Sequence, residues 1–125
     1  MNNAQGFTDQ GSFNPDDNLI AGEYPRISRK ITITGGDYKL GSVLGQITAS
    51  GKYTLSASAA TDGSQTPDAI LAEDIDATSA DKQAIAYFSG LFNEKKLTLG
   101  TGHTIASITQ GLRGKNIYLK QNQEV

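Results

Sequence analysis

The chain has no cysteine and no tryptophan, and only one histidine and three prolines among 125 residues. Without thiols there is no disulfide framework, no thiolate nucleophile and no Cys-based zinc site. The redox compartment stays open, because such a chain folds alike in the cytosol or outside it. Uninterrupted apolar runs are short, so no segment is expected to span a bilayer. The N-terminus carries neither a basic segment nor an apolar h-region, so no secretion signal is expected. A pI near 5.2 speaks against binding of duplex nucleic acid.

What is present favours a small β-rich protein. The length predicts one domain, or one domain plus a tail, and is too short for a barrel enzyme or a two-domain dinucleotide enzyme. Folding a chain of this size removes roughly two-thirds of its extended surface from water, enough for one modest core. Apolar residues make up only 37%. Glycine is abundant at 14 residues, and Thr (12), Ile (11) and Val (2) supply many β-branched side chains. That mixture favours short strands separated by turns.

Charge separates an N-terminal arm from the rest. Residues 1–25 hold Asp9, Asp16, Asp17 and Glu23 with no Lys or Arg, a net −4, whereas residues 26–125 hold 11 basic and 9 acidic groups, a net +2. Residues 1–18 are rich in Asn, Gln, Gly and Asp, show neither helical nor strand periodicity, and contain Phe7 and Phe13 as isolated apolar anchors. Two readings stand: a frayed terminus, or an arm that orders on a partner. The division expected is an arm over 1–25 and a β-rich domain over 26–125.

From Tyr24 onward the pattern is one of strands. Ile31 and Ile33 alternate with Thr32 and Thr34 up to the stop at Gly35-Gly36-Asp37. Val43–Ala49 and Lys52–Ser56 flank Ser50-Gly51, which predicts a hairpin with a two-residue turn. Residues 60–67 form a loop turning at Asp62-Gly63, and Asp68–Ile75, apolar on both faces at Ala69-Ile70-Leu71-Ala72, suits a central strand. Gln83–Asn93 carries the densest apolar matter and reads as a strand with a bulge or close backbone contact at Gly90. Leu97-Thr98-Leu99 alternates briefly and ends at Gly100-Thr101-Gly102. One short helix follows, with Thr104 as N-cap, Ile105, Ile108 and Leu112 on one face, Gly111 and Gly114 closing it, and Arg113 and Lys115 near its C-terminal end. Residues 116–120 (NIYLK) make a last strand. The fold class expected is mainly β, with one short C-terminal helix and an extended N-terminal arm.

Candidate chemical sites are few. The acidic stretch Glu73–Asp76 offers carboxylates to a hard cation, but a calcium loop counted from Asp74 places Ser79 where Gly belongs and Ile85 where Glu belongs. These carboxylates therefore read as a solvated strand end. His103 is the sole side chain that titrates near neutrality when unperturbed. A hydrolase centred on it has no G-x-S-x-G elbow, so hydrogen bonding of a turn is the expected role. Gly100 to Thr104 faintly resembles a phosphate loop before a helix, without either established glycine pattern, and reads as a tight turn. Arg26, Arg29 and Lys30 form one basic cluster and Lys95-Lys96 another, in the manner of a soluble surface. The nine aromatics are not spaced as a base-stacking platform.

A longer pattern runs through the chain. Gly41-Ser42-Val43-Leu44-Gly45, Gly51-Lys52-Tyr53, the run from Ala59 to Pro67 (AATDGSQTP) and that from Ile70 to Ala77 (ILAEDIDA) follow one another. Gly90 with Phe92-Asn93-Glu94, Leu97-Thr98-Leu99-Gly100, Gly102-His103-Thr104, and Leu112-Arg113 with Ile117 to Lys120 continue the series. Each block is short, but in this order they cover about residues 20–120 and resemble the lambda-type head decoration proteins of bacteriophages.

That resemblance implies a β-rich homotrimer on the outer surface of an expanded capsid, assembled in the host cytoplasm, sitting over three-fold positions and cementing neighbouring copies of the major capsid protein. It implies no reaction, cofactor, metal, membrane or direct nucleic-acid contact. In the family the N-terminal segment is loose in the free protein and engages the capsid when bound, and the matching stretch here is residues 1–25. Phe7, Phe13, Leu19, Ile20 and Tyr24 are the apolar side chains expected to fill capsid pockets. Two rival readings stand beside it. One is a glycan- or host-binding module displayed on the virion through the turns around Asp62–Thr66. The other is a small hydrolase using His103.

Overall fold

The computed structural model describes residues 19–21 and 24–120. Expectations for Phe7, Phe13 and the rest of residues 1–18 lie outside the described residues. Eight strands, β1 (Ile27–Ile33), β2 (Asp37–Tyr38), β3 (Val43–Gln46), β4 (Tyr53–Leu55), β5 (Pro67–Leu71), β6 (Ile75–Asp76), β7 (Lys82–Asn93) and β8 (Ile117–Lys120), are joined by one helix, α1 (Ile105–Arg113). Neighbouring strands run β1-β4-β3-β5-β7-β8, and β7 also pairs with β1. That extra pairing closes five strands into a small barrel, which removes most free sheet edges. A separate two-stranded ribbon joins β2 to β6.

Alternation on the central strands builds two cores. On β5, Ala69 and Leu71 face a cluster with Ile33, Leu44, Tyr53, Ala77, Ala84 and Ala86. Ile70 between them faces the opposite way, toward Leu19, Val43, Phe92, Ile108, Leu112 and Ile117. The strand is therefore apolar throughout because both its faces are covered, as expected. The helix supplies the lid of the second cluster. Ile108 and Leu112 are buried there, four residues apart on one face. Each such buried side chain stabilises the fold by roughly 1.5–3 kcal/mol relative to exposure.

The helix begins as its sequence predicts. Thr104 Oγ1 accepts from the Ser107 amide at 3.1 Å, and Ser107 Oγ accepts from the Thr104 amide at 2.9 Å, a reciprocal cap. Its end differs in detail. Gly111 lies inside the helix, Gly114 keeps right-handed backbone angles, and Asn116 makes the left-handed turn at φ 69°.

Two further expectations are refined. The β3–β4 hairpin exists, with Leu44 opposite Leu55 and Gln46 opposite Tyr53, but its loop is longer than Ser50-Gly51. Ile47 N–H still bonds Lys52 C=O at 2.8 Å, while Thr48 N–H is drawn to the Asp62 carbonyl and Gly51 N–H folds back on Ile47. The loop thus spans Thr48–Gly51. The strand expected over 68–75 divides into β5 and β6, because the Asp74 carboxylate turns outward to accept the Leu40 amide at 2.8 Å.

β7 is the spine of the molecule. Over Lys82–Ser89 it pairs with β1, and over Gly90–Asn93 with β8, in parallel. Its register with β1 slips between Ile27, opposite Ser89, and Ser28, opposite Tyr87, so the bulge falls at Phe88. Gly90 is the close-contact position. With φ +147°, a Cβ there would lie 2.8 Å from the Phe92 ring and 3.0 Å from Arg26 Cγ.

Candidate functional site

The segment leading into the barrel is bound to the second half of β7. Asn93 N–H donates to Leu19 C=O at 2.7 Å, Ala21 N–H donates to Leu91 C=O at 2.9 Å, and Ile20 bridges antiparallel to Phe92. β8 covers the other side of the same residues, pairing Phe92 with Leu119 and Asn93 with Lys120. Neighbouring strands lie ~4.8 Å apart, so Leu19 and Lys120 flank Asn93 about 10 Å from one another. Leu19 and Lys120, the first and last of the described residues, thus lie at the same end of one strand.

The five apolar residues expected to contact a partner are placed differently from one another. Leu19 is 3% exposed and packs in the cluster beneath α1. Ile20 is half-buried against that cluster. Tyr24 is 38% exposed and sets its ring edge-on to Tyr118, centroids 4.9 Å apart at 73°. Desolvation against this neighbour, and then the Tyr118 hydroxyl, push the Tyr24 phenol above its ordinary value. Phe7 and Phe13 lie outside the described residues. Sequence reasoning missed Ile27, the most exposed large apolar side chain among those described at 58%. No local pattern signals its exposure, since it precedes Ile31 and Ile33 by an even number of residues on the same strand, a spacing that predicts the inward face.

The turn into β1 is held by one hydroxyl. Ser89 Oγ, on a buried side chain, donates to Pro25 C=O at 2.9 Å and accepts from Ile27 N–H at 3.0 Å. That fixes where Tyr24 and Ile27 emerge. Arg29 lies with its guanidinium 5.1 Å from the centre of the Phe88 ring.

The other candidate positions have structural work. His103 Nε2 lies 3.1 Å from the Gln65 carbonyl and 3.2 Å from Ser56 Oγ. A carbonyl only accepts, so Nε2 carries the proton and has no lone pair with which to act as a base on Ser56. Ser56 is fully buried in any case. Gly100 serves close approach, since a Cβ there would collide with the Ser56 carbonyl at 1.9 Å. In the acidic stretch, Glu73 accepts from the Ile85 amide at 2.7 Å and Asp76 from the Thr78 amide at 3.0 Å. Around Asp62–Thr66, Asp62 Oδ1 accepts from both the amide and hydroxyl of Ser64, at 3.0 and 2.6 Å. Gly63 and Thr66 border a shallow depression of about 170 Å³ with Gln46, Thr48, Asp68 and Lys115. Lys115 Nζ is already spent there on Asp68 Oδ1 at 2.9 Å and Pro67 C=O at 3.0 Å.

Among the described residues no group of His and carboxylate side chains is placed to hold a metal, and no helix is long and apolar enough to cross a membrane. The described residues form a small barrel that brings Leu19 and Lys120 beside one strand, and the candidate polar groups above make hydrogen bonds within it. Residues 9–116 match the family of the bacteriophage lambda head decoration protein D, and the chain belongs to that family. It is therefore a phage virion component that decorates the outer surface of the capsid. No curated protein matches the chain.

Proposed function

We propose that this protein binds as a homotrimer over three-fold positions of the expanded capsid and cements neighbouring major capsid subunits, using residues 1–18 as the clamping arm. The observation that carries the reading is the anchoring of residues 19–21 along β7, in a chain whose family decorates phage heads. An arm transmits load only if its root is fixed. Leu19 in the core and the paired amides of Ala21 and Asn93 provide that root.

The energetics fit a partner-dependent arm. Ordering 15–20 residues costs on the order of 15–40 kcal/mol of backbone entropy, which a polar segment does not recover alone. An exposed sheet edge of the major capsid protein supplies main-chain partners, and Phe7, Phe13 and Tyr24 supply side chains for its pockets. Ile20 completes the inner end of this contact and Leu19 ties it to the body. Three arms on one trimer bind at high effective concentration once the first engages. The thin apolar content fits a core completed between copies.

The test is to mix purified protein with expanded, undecorated capsids and measure stoichiometry together with resistance to heat and chelator. Three copies per three-fold position and a stabilised shell are expected. Occupancy that persists after deletion of residues 1–18 overturns the role of the arm.

A further inference from the structure

Strand β1 pairs with β7 along its whole length on one side, but on the other β4 meets it only at Ile33, opposite Tyr53. Thr34 N–H reaches across to Tyr53 C=O at 2.9 Å. Backbone groups alternate sides along a strand, so Lys30 and Ser28 turn theirs the same way as Thr34, and no described residue bonds them. Cover on the side chains is lost in the same direction. Ile33 is buried, Ile31 half-buried, and Arg29 and Ile27, next on that face, are exposed. Residues 24–30 are exposed without a break. The first half of β1 is therefore open on both faces and along one edge.

Charged side chains on a bare edge guard it against unwanted pairing. Guarding does not account for the apolar ones. Tyr24 and Ile27 are the two exposed large apolar side chains among the described residues, and both fall in this stretch. Apolar groups gathered beside unbonded main chain mark a contact surface. Its sign is positive: Arg26, Arg29 and Lys30 stand here with no acidic residue from Tyr24 to Gly36, and none of the three ion pairs among the described residues involves them.

Two occupants compete for such a surface, a second copy and the shell. The described surface of a second copy offers little to meet three cations, because its carboxylates are engaged internally: Asp68 and Asp81 by lysines, Glu73 and Asp74 by main-chain amides. The shell is the better match. Tyr24 follows Ala21, the last residue of the root on β7, by three positions, so the open stretch is continuous with the root of the clamp.

We propose that the open half of β1 is a second attachment site for the capsid, taking an extended acidic segment of the major capsid protein as an added strand along Ser28–Thr32. The main chain of that segment bonds Ser28 and Lys30, its carboxylates meet the basic side chains, and an apolar residue covers Ile27. The inference rests on the capsid attachment proposed above, but assigns part of it to the barrel itself.

Amide hydrogen exchange of the full-length protein, free and bound to expanded, undecorated capsids, tests this. In the free protein the Ser28 and Lys30 amides are expected to exchange rapidly, while those of Arg29 and Ile31, on the edge paired with β7, are slow. On decorated capsids the first two are expected to slow by about tenfold or more. Ile27→Ser and Lys30→Glu, both at exposed positions, are expected to keep the parent's melting temperature and each to weaken capsid affinity about tenfold. Lys39→Glu, an equal change of charge at another exposed lysine, is expected to bind as the parent does. Slow exchange at Ser28 and Lys30 in the free protein would put a second copy on the edge and overturn the proposal. Variants of Ile27 and Lys30 that bind like the parent, or a loss in Lys39→Glu equal to that in Lys30→Glu, would overturn it too. Parent protein that leaves capsids bare refutes both this site and the capsid reading, whereas full occupancy with the edge still exchanging refutes this site alone.

Discussion

Leu19 and Asn93 meet across a 2.7 Å backbone hydrogen bond, and Asn93 on its other side pairs with Lys120. Leu19 is thereby fastened to the strand that also holds Lys120. Two truncations should separate clamp from body. Removal of residues 1–18 is expected to leave unfolding stability nearly unchanged while abolishing capsid occupancy. Removal of residues 1–21 is expected to cost stability as well, because Leu19 and two main-chain hydrogen bonds go with it. Leu19→Ala in the full chain should lower the unfolding free energy by about 2–4 kcal/mol, read by urea denaturation. A change below about 0.5 kcal/mol would show that residue 19 contributes no core packing.

Gly45 tests the tight packing of the barrel against its loops. A Cβ on this residue would lie 2.0 Å from the Ser64 carbonyl, and the atoms in the way are backbone. Gly45→Ala should therefore cost on the order of 3 kcal/mol, whereas Gly111→Ala, on an exposed turn of α1 with open space, should stabilise by up to about 1 kcal/mol. Thermal unfolding of the two variants should move in opposite directions.

Acid should weaken the fold through three surface carboxyls. Hydrogen bonding from the Ser64 hydroxyl and then its amide holds Asp62 below its ordinary value of 3.8. Thr78 does the same for Asp76, and Lys52 followed by Thr34 for Asp81. A carboxyl depressed on folding favours the native state when ionised, so its contribution is full above the unfolded value and disappears as pH falls through the folded one. Unfolding free energy should hold level from pH 7 to about 5 and decline below about pH 4. Asp62→Asn and Asp81→Asn should flatten that decline. An acid limb identical to the parent's in both variants would rule these groups out as its source.

The extent to which the fold was legible in sequence follows from where the deciding interactions lie. The helix was readable because Thr104, Ser107, Ile108 and Leu112 act within one another's reach along the chain. The central strand was readable because Ile70 and Leu71 both had to be apolar. The hairpin loop was misjudged by two residues because Asp62, remote in sequence, captures the Thr48 amide. Barrel closure was hidden for the same reason: the β1–β7 pairing joins residues 49 to 62 positions apart, from Ile33 with Lys82 to Ile27 with Ser89. At the site, the acidic bias separated residues 1–25, but no local pattern shows that Leu19 faces inward while Tyr24 and Ile27 face out. That distinction depends on the pairing with Leu91 and Asn93.

His103 gives the last prediction, because two readings of it diverge. In the structure its Nε2–H is shared by the Gln65 carbonyl and the Ser56 hydroxyl, tying the loops before β5 and before α1 to the end of β4. Removing it leaves a carbonyl and a buried hydroxyl without their partner, at a cost of about 1–3 kcal/mol. His103→Ala should thus lower the melting temperature by several degrees, in line with ~4–8 °C per kcal/mol for a domain near this size. Decoration of capsids at a temperature where the variant is folded should stay at the parent level, since the histidine is far in sequence from the arm and does not touch its root. His103→Gln, which restores an N–H donor, should recover part of the lost stability. A variant with full stability but impaired capsid occupancy would move His103 from loop fastening to the attachment surface.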